Sequence, residues 1–224
     1  MSDSNTQSTL SKEQIDSVIA LYSNGQYQEA IDSIKLLNES YPNVPFLFNL
    51  IGACYKSLGQ LKAAAQMFET AVGIKPDYAE ALKNLGITLD DLGQLDGAVK
   101  CFEKAIIADT NYVDAHYNLA ITLKKLGLLD AAVKSYENVL AINPNFAQAH
   151  NNLGNVFKSL GKNHAAVDCY KKAIAINPNF AEAYSNLGNV LRNLNYREKA
   201  LECFLRAYEL KPNMDFLFGD ILNS

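Results

Sequence analysis

No run of eighteen apolar residues occurs in the 224-residue chain, so no segment of it reads as a membrane-spanning helix. An excess of basic charge is also missing. Twenty lysines and arginines stand against 24 aspartates and glutamates, a net charge of −4. Binding to phosphates needs a basic face, so nucleic acid is not an expected partner. The opening MSDSNTQSTLSKEQ has no apolar stretch and does not read as a secretory signal. Residues 1–10 have almost nothing to bury and are expected to form a disordered tail. Three histidines and the lack of any CxxC spacing leave a metal site little to draw on. The four cysteines are Cys54, Cys101, Cys169 and Cys203, the last three spaced by 68 and 34 residues. That spacing makes them equivalent positions of a repeat and not a disulfide framework. They read as small apolar fillers in a reducing compartment, which implies a cytoplasmic protein. There a glycosylation acceptor such as Asn38-Glu39-Ser40 would go unused. No P-loop, nucleophile elbow or dinucleotide glycine string is present. The chain is therefore not read as an enzyme, and neither catalytic residues nor a cofactor are assigned.

What the chain does have is a period. Five segments align without a gap from Pro45, Ala79, Val113, Ala147 and Ala181, and a more degenerate sixth starts at Ser11. Each segment reads as two helices. In the segment at Ala147, Leu153, Gly154, Phe157 and Leu160 form one helical stripe, and Gly161 ends it in a left-handed conformation. Ala166, Val167, Tyr170, Ala173 and Ile174 form a second stripe, which Asn177 and Pro178 break. Asn179 is placed to cap the helix that follows. The same punctuation recurs at Gly25, Gly59, Gly93 and Gly127, and at Pro42, Pro76, Pro144 and Pro212. Small residues recur at Gly52, Gly86, Ala120, Gly154 and Gly188 on the first helix, and at Ala30, Ala64, Ala98, Ala132, Ala166 and Ala200 on the second. They let the two helices approach closely. Phe68, Phe102, Tyr136, Tyr170 and Phe204 are expected to fill the gaps between hairpins. One hairpin cannot bury its apolar face alone, so stability sums along the array.

Leu153-Gly154, Phe157, Ala166, Tyr170, Ala173 and Pro178 resemble the tetratricopeptide repeat, and the resemblance covers residues 11–214. It implies an all-α fold, a right-handed α-solenoid of helix-turn-helix tetratricopeptide repeats at 11–44, 45–78, 79–112, 113–146, 147–180 and 181–214. Three departures stand out. The family's frequent tryptophan is replaced by Phe48, Leu82, His116, His150 and Tyr184. Thr110 stands in place of a proline, and Ser17-Val18 in place of Leu-Gly. His116 and His150 are expected as half-buried packing groups and not as a catalytic pair.

In that family the first helix of each repeat lines the concave wall. One position there carries Asn84, Asn118, Asn152 and Asn186, while the repeat at Pro45 has Leu50. An asparagine amide both donates and accepts, so a row of them can track the backbone of an extended peptide. The row also fits a polar residue on a solvated helix face. It resembles the asparagine ladder of O-linked N-acetylglucosamine transferases, as do the strings NLGNVFK and NLGNVLR with Asn155 and Asn189. Lys56, Lys124, Lys158 and Arg192, interrupted by Asp90, fit the same pattern. By that resemblance the four ladder residues bind substrate-peptide backbone. Four net hydrogen bonds contribute roughly 2–6 kcal/mol, while micromolar affinity needs about 8. Side chains such as Lys83, Tyr117 and Asn151 are therefore expected to add contacts. A carboxylate clamp needs lysine and asparagine one turn apart, and Lys83 is followed by Ile87.

The expected function is that of a protein- or peptide-binding scaffold, the substrate-recognition module of a longer glycosyltransferase-like protein. The alternative is a self-assembling structural or adaptor protein that acts through its convex face or open ends, with homo-oligomers forming through the terminal repeats. The apolar run of Met214, Phe216, Leu217, Phe218, Ile221 and Leu222 suggests that residues 215–224 begin a capping or junction helix.

Overall fold

The computed structural model describes residues 10–212. The tail and the C-terminal run discussed above lie outside them, except Leu10, which packs against the first core cluster. The described residues form an all-α helical-repeat solenoid, built as six helix pairs with no strand among them. The chain divides into two compact units at Thr110/Asn111, where the repeat proline is missing. The first unit holds α1 (Lys12–Ser23), α2 (Tyr27–Ser40), α3 (Pro45–Ser57), α4 (Leu61–Ile74), α5 (Ala79–Asp91) and α6 (Leu95–Ala108). The second holds α7 (Val113–Lys125), α8 (Leu129–Ile142), α9 (Ala147–Ser159), α10 (Asn163–Ile176), α11 (Ala181–Asn193) and α12 (Arg197–Leu210).

Each first helix is stopped in the same way. In α3, Gln60 N donates to Tyr55 O and Gly59 N to Lys56 O, with Gly59 at φ +74°. This is the paired-bond stop that satisfies the last carbonyls of a helix when the next residue turns left-handed. Gly25, Gly93, Gly127 and Gly161 repeat it at φ +72° to +77°. The sixth pair uses Asn195 at φ 64°, the residue type that best tolerates this region after glycine. At the start of the array, Ser11 Oγ accepts from Gln14 N at 3.2 Å while Gln14 Oε1 accepts from Ser11 N at 2.9 Å. This reciprocal cap fixes α1. Asn179 does not cap α11. Asn177 Oδ1 instead accepts from Asn179 N at 3.1 Å, so the Asn-Pro-Asn segment closes as a side-chain turn, and Phe180 precedes the helix with no side-chain bond.

The small residues meet the large ones inside each pair. A Cβ added to Gly154 would lie 2.6 Å from Tyr170 Cε1, and Gly52, Gly86 and Gly188 stand equally close to Phe68, Phe102 and Phe204. The aromatic ring therefore plugs the gap within its own hairpin, opposite the glycine. Tyr170 shares a cluster with Leu187 and Val190 of the following first helix. The expected filling between hairpins is thus joined by a plug within the hairpin itself. The second-helix alanines are all fully buried. His116 and His150 are more buried than half, at 7% and 8% exposed. His150 Nε2 lies 3.0 Å from Pro144 O, a bond that ties the ring to the preceding turn and draws it inward.

Candidate functional site

The first helices carry the predicted row at a fixed offset. Asn84 Nδ2 donates to Asn49 Oδ1 at 3.0 Å, Asn152 Nδ2 to the Tyr117 hydroxyl at 2.9 Å, and Asn186 Nδ2 to Asn151 Oδ1 at 3.0 Å. Each bond spans 35 residues, one more than the sequence period, because a ladder residue leans on the position just before its counterpart in the preceding repeat. Lys56 Nζ meets Asp91 Oδ2 at 3.4 Å across the same step. Asn118 differs, since its Nδ2 donates at 2.7 Å to Asp114 O within its own helix. All four ladder side chains are half-buried. An amide has two N–H donors and a carbonyl oxygen. Spending an N–H on the neighbouring repeat holds the group still, and Asn152 also accepts from Asn151 Nδ2 at 3.5 Å.

The structure places the other predicted residues less uniformly. Asn151 is 1% exposed, with its oxygen taken by Asn186 and its Nδ2 donating to Glu182 Oε1 at 3.2 Å. It brackets the row from inside, with its amide engaged by the array. Tyr117 is half-buried, its ring stacked on Phe146 at 4.9 Å and edge-on to Tyr136 at 5.9 Å. Burial raises its phenol above the ordinary range, so the hydroxyl stays protonated. Asn155 Oδ1 accepts from the Tyr170 hydroxyl at 2.9 Å, and Asn189 bridges Ser185 O and Arg192 Nη2 at 3.1 and 3.0 Å. Both asparagines thus serve the array internally. The Arg192 guanidinium stands 5.6 Å over the Phe204 ring. Lys124 and Lys158 are exposed.

In the first unit these positions line a cleft of about 360 Å³. Phe46, Asn49, Leu50, Ala53, Lys56 and Ser57 of α3 face Glu80, Lys83 and Asn84 of α5 there, with Tyr22 and Phe68 completing the wall. Sequence reasoning did not anticipate Asn49, Glu80, Asp91 or Glu182. The available signal was that Asn49 and Asn151 immediately precede the row position. A second cleft of about 670 Å³, between α8, α9 and α10, is mainly apolar and contains His150, Cys169 and Lys172. Burial pushes the thiols of Cys54, Cys169 and Cys203 up to about 11, which keeps them protonated and poorly nucleophilic at neutral pH. Among the described residues no His, Cys, Asp and Glu group is arranged to hold a metal, and no helix is long and apolar enough to cross a membrane.

Comparison with known proteins gives one consistent answer. Models of the tetratricopeptide repeat match residues 47–78 and 181–214, and a TPR repeat model matches 88–127, 123–161 and 154–195. Among solved structures, MamA is 28% identical with a TM-score of 0.69, over 72% of this chain and 95% of that one. YrrB, a TPR protein with an unusual peptide-binding site, is 21% identical with a TM-score of 0.71, over 84% and 96%. PilF of Pseudomonas aeruginosa is 15% identical with a TM-score of 0.81, over 95% and 96%. The last two likenesses bear on the fold alone. Anaphase-promoting complex subunit 3 of Dictyostelium discoideum is 34% identical over 65 residues, so the match spans 29% of this chain but only 7% of that protein.

Proposed function

Because the chain belongs to the tetratricopeptide repeat family, whose models match more than half of it, we propose that it is a binding scaffold whose first-helix face takes an extended peptide. One observation supports this reading: amides recur at one position of the third to sixth repeats, and three of the four bond to the preceding repeat across 35 residues. A flexible polar side chain loses rotamer entropy when it binds. One already fixed loses less, so each backbone hydrogen bond contributes more net affinity. The peptide-binding site for which YrrB is described gives the reading a precedent on the same fold.

A finer reading is that the repeats are the substrate-recognition module of a longer glycosyltransferase-like protein in the cytoplasm. The asparagine row and the strings around Asn155 and Asn189 support the first part, and four unpaired cysteines support the compartment. An intact mass of the natural product near 24.7 kDa would count against a longer protein.

The binding reading is tested with a short peptide selected from a random display library against the folded chain. Asn118 is the appropriate residue to change, because its amide bonds only its own helix and its loss leaves no neighbouring repeat unsatisfied. Asn118→Ala is expected to weaken the selected peptide about five- to tenfold, the equivalent of one hydrogen bond. The melting curve should be unchanged. A change below about twofold would remove the ladder from the binding site.

A further inference from the structure

We infer that the first-helix face of the second unit is an electrostatically polarised channel, selective for an extended peptide with acidic side chains along one edge and basic side chains along the other. This rests on the peptide-binding reading and specifies its ligand. α7, α9 and α11 run in the same direction, each separated from the next by one returning helix. Asp114 and Glu182 lie in the first turns of α7 and α11, with the neutral Gln148 between them on α9. Lys124, Lys158 and Arg192 lie in the last turns. Ten residues separate the acidic and basic positions of a helix, about 15 Å at 1.5 Å per residue, and Asn118, Asn152 and Asn186 lie between them. That gap suits a single extended strand.

Helix dipoles favour acids at the start and bases at the end, and this alone would place such charges. Two further observations give them a ligand role. In the first unit, Lys56 is neutralised by Asp91. The same 35-residue step from Lys124 and Lys158 leads to Ser159 and Asn193, which carry no charge, so these two lysines lack the compensation that Lys56 has. On the opposite edge, Asn151, itself buried, donates to Glu182 and fixes its carboxylate beside the row. Successive side chains of an extended strand point to opposite sides. A ligand alternating in charge therefore presents one sign to each edge, while the ladder takes its backbone.

The test uses two roughly twelve-residue peptides of identical composition, each long enough at ~40 Å to cross three first helices. One alternates glutamate and lysine. The other repeats Glu-Glu-Lys-Lys, which puts both signs on both edges. Fluorescence anisotropy is expected to show the alternating peptide binding about tenfold more tightly, with the preference vanishing in roughly 0.5 M salt. The pair Lys124→Glu and Lys158→Glu, and separately Lys124→Gln and Lys158→Gln, should abolish the preference. Both pairs change exposed side chains, so the fold is retained. Equal affinities, a preference that survives both pairs of changes, or no binding of the alternating peptide would overturn the polarised channel. If the two peptides bind equally and both weaken with Asn118→Ala, peptide binding stands and only the charge selectivity falls.

Discussion

Tyr170→Ala is expected to lower the unfolding free energy of the second unit by about 3–5 kcal/mol. The side chain is fully buried and contributes in three ways. Its ring covers Gly154 within the hairpin, it belongs to one core cluster with Leu187 and Val190 of the next first helix, and its hydroxyl donates to Asn155 Oδ1. Truncation removes the ring from two interfaces at once. Because stability in a repeat array is a sum of repeat and neighbour terms, both terms fall together. Tyr170→Phe keeps the ring and loses one hydrogen bond, so it should cost only about 0.5–1.5 kcal/mol. Urea titration of both variants separates the packing from the bond. A Tyr170→Ala loss below about 1 kcal/mol would mean that the ring does not hold the hairpin together.

Gly154→Leu should be nearly as damaging, about 3 kcal/mol, because the added side chain must enter space already filled by the Tyr170 ring. Gly154→Ala is the informative contrast. Its single methyl also lies inside contact distance, at 2.6 Å from Cε1. Alanine, however, gains about 1 kcal/mol in helix propensity over glycine. The chain also performs this experiment on itself, since Ala120 occupies the equivalent position and Tyr136 the equivalent ring site, both buried. The alanine variant is therefore expected to change stability by less than about 1 kcal/mol. Thermal melts of the two variants should differ clearly. Equal, small effects from Leu and Ala would show that the glycine is not required by the close approach.

Much of this architecture was legible in the sequence because each local rule repeats in phase. The glycine stops, the apolar stripes and the small-against-large pairing each recur every 34 residues, so an error in one repeat is corrected by the others. Asn195 illustrates the physics behind the pattern, since the left-handed turn survives the loss of its glycine. The 35-residue couplings were not legible. Whether Asn186 meets Asn151 or Asn152 depends on how far one helix pair slides and rotates against the next, and no sequence period reports that offset. The burial of Asn151 is hidden for the same reason, because a polar residue beside the row position reads as surface until the neighbouring repeat covers it. The buried histidines were under-read for a related reason, as the bond from His150 to Pro144 O joins two segments whose approach only the fold defines.

The most direct test of the central claim, that the asparagine-bearing face is the ligand face, is an NMR titration of the chain with the display-selected peptide. Side-chain amide signals of asparagine are observed separately from the backbone, so the row reports on itself. The predicted result is that the signals of Asn118, Asn152 and Asn186 in the second unit shift in proportion to peptide bound, while the backbone signals of its second helices stay in place. Shifts concentrated on α8, α10 and α12, with the three side-chain amides unmoved, would contradict it.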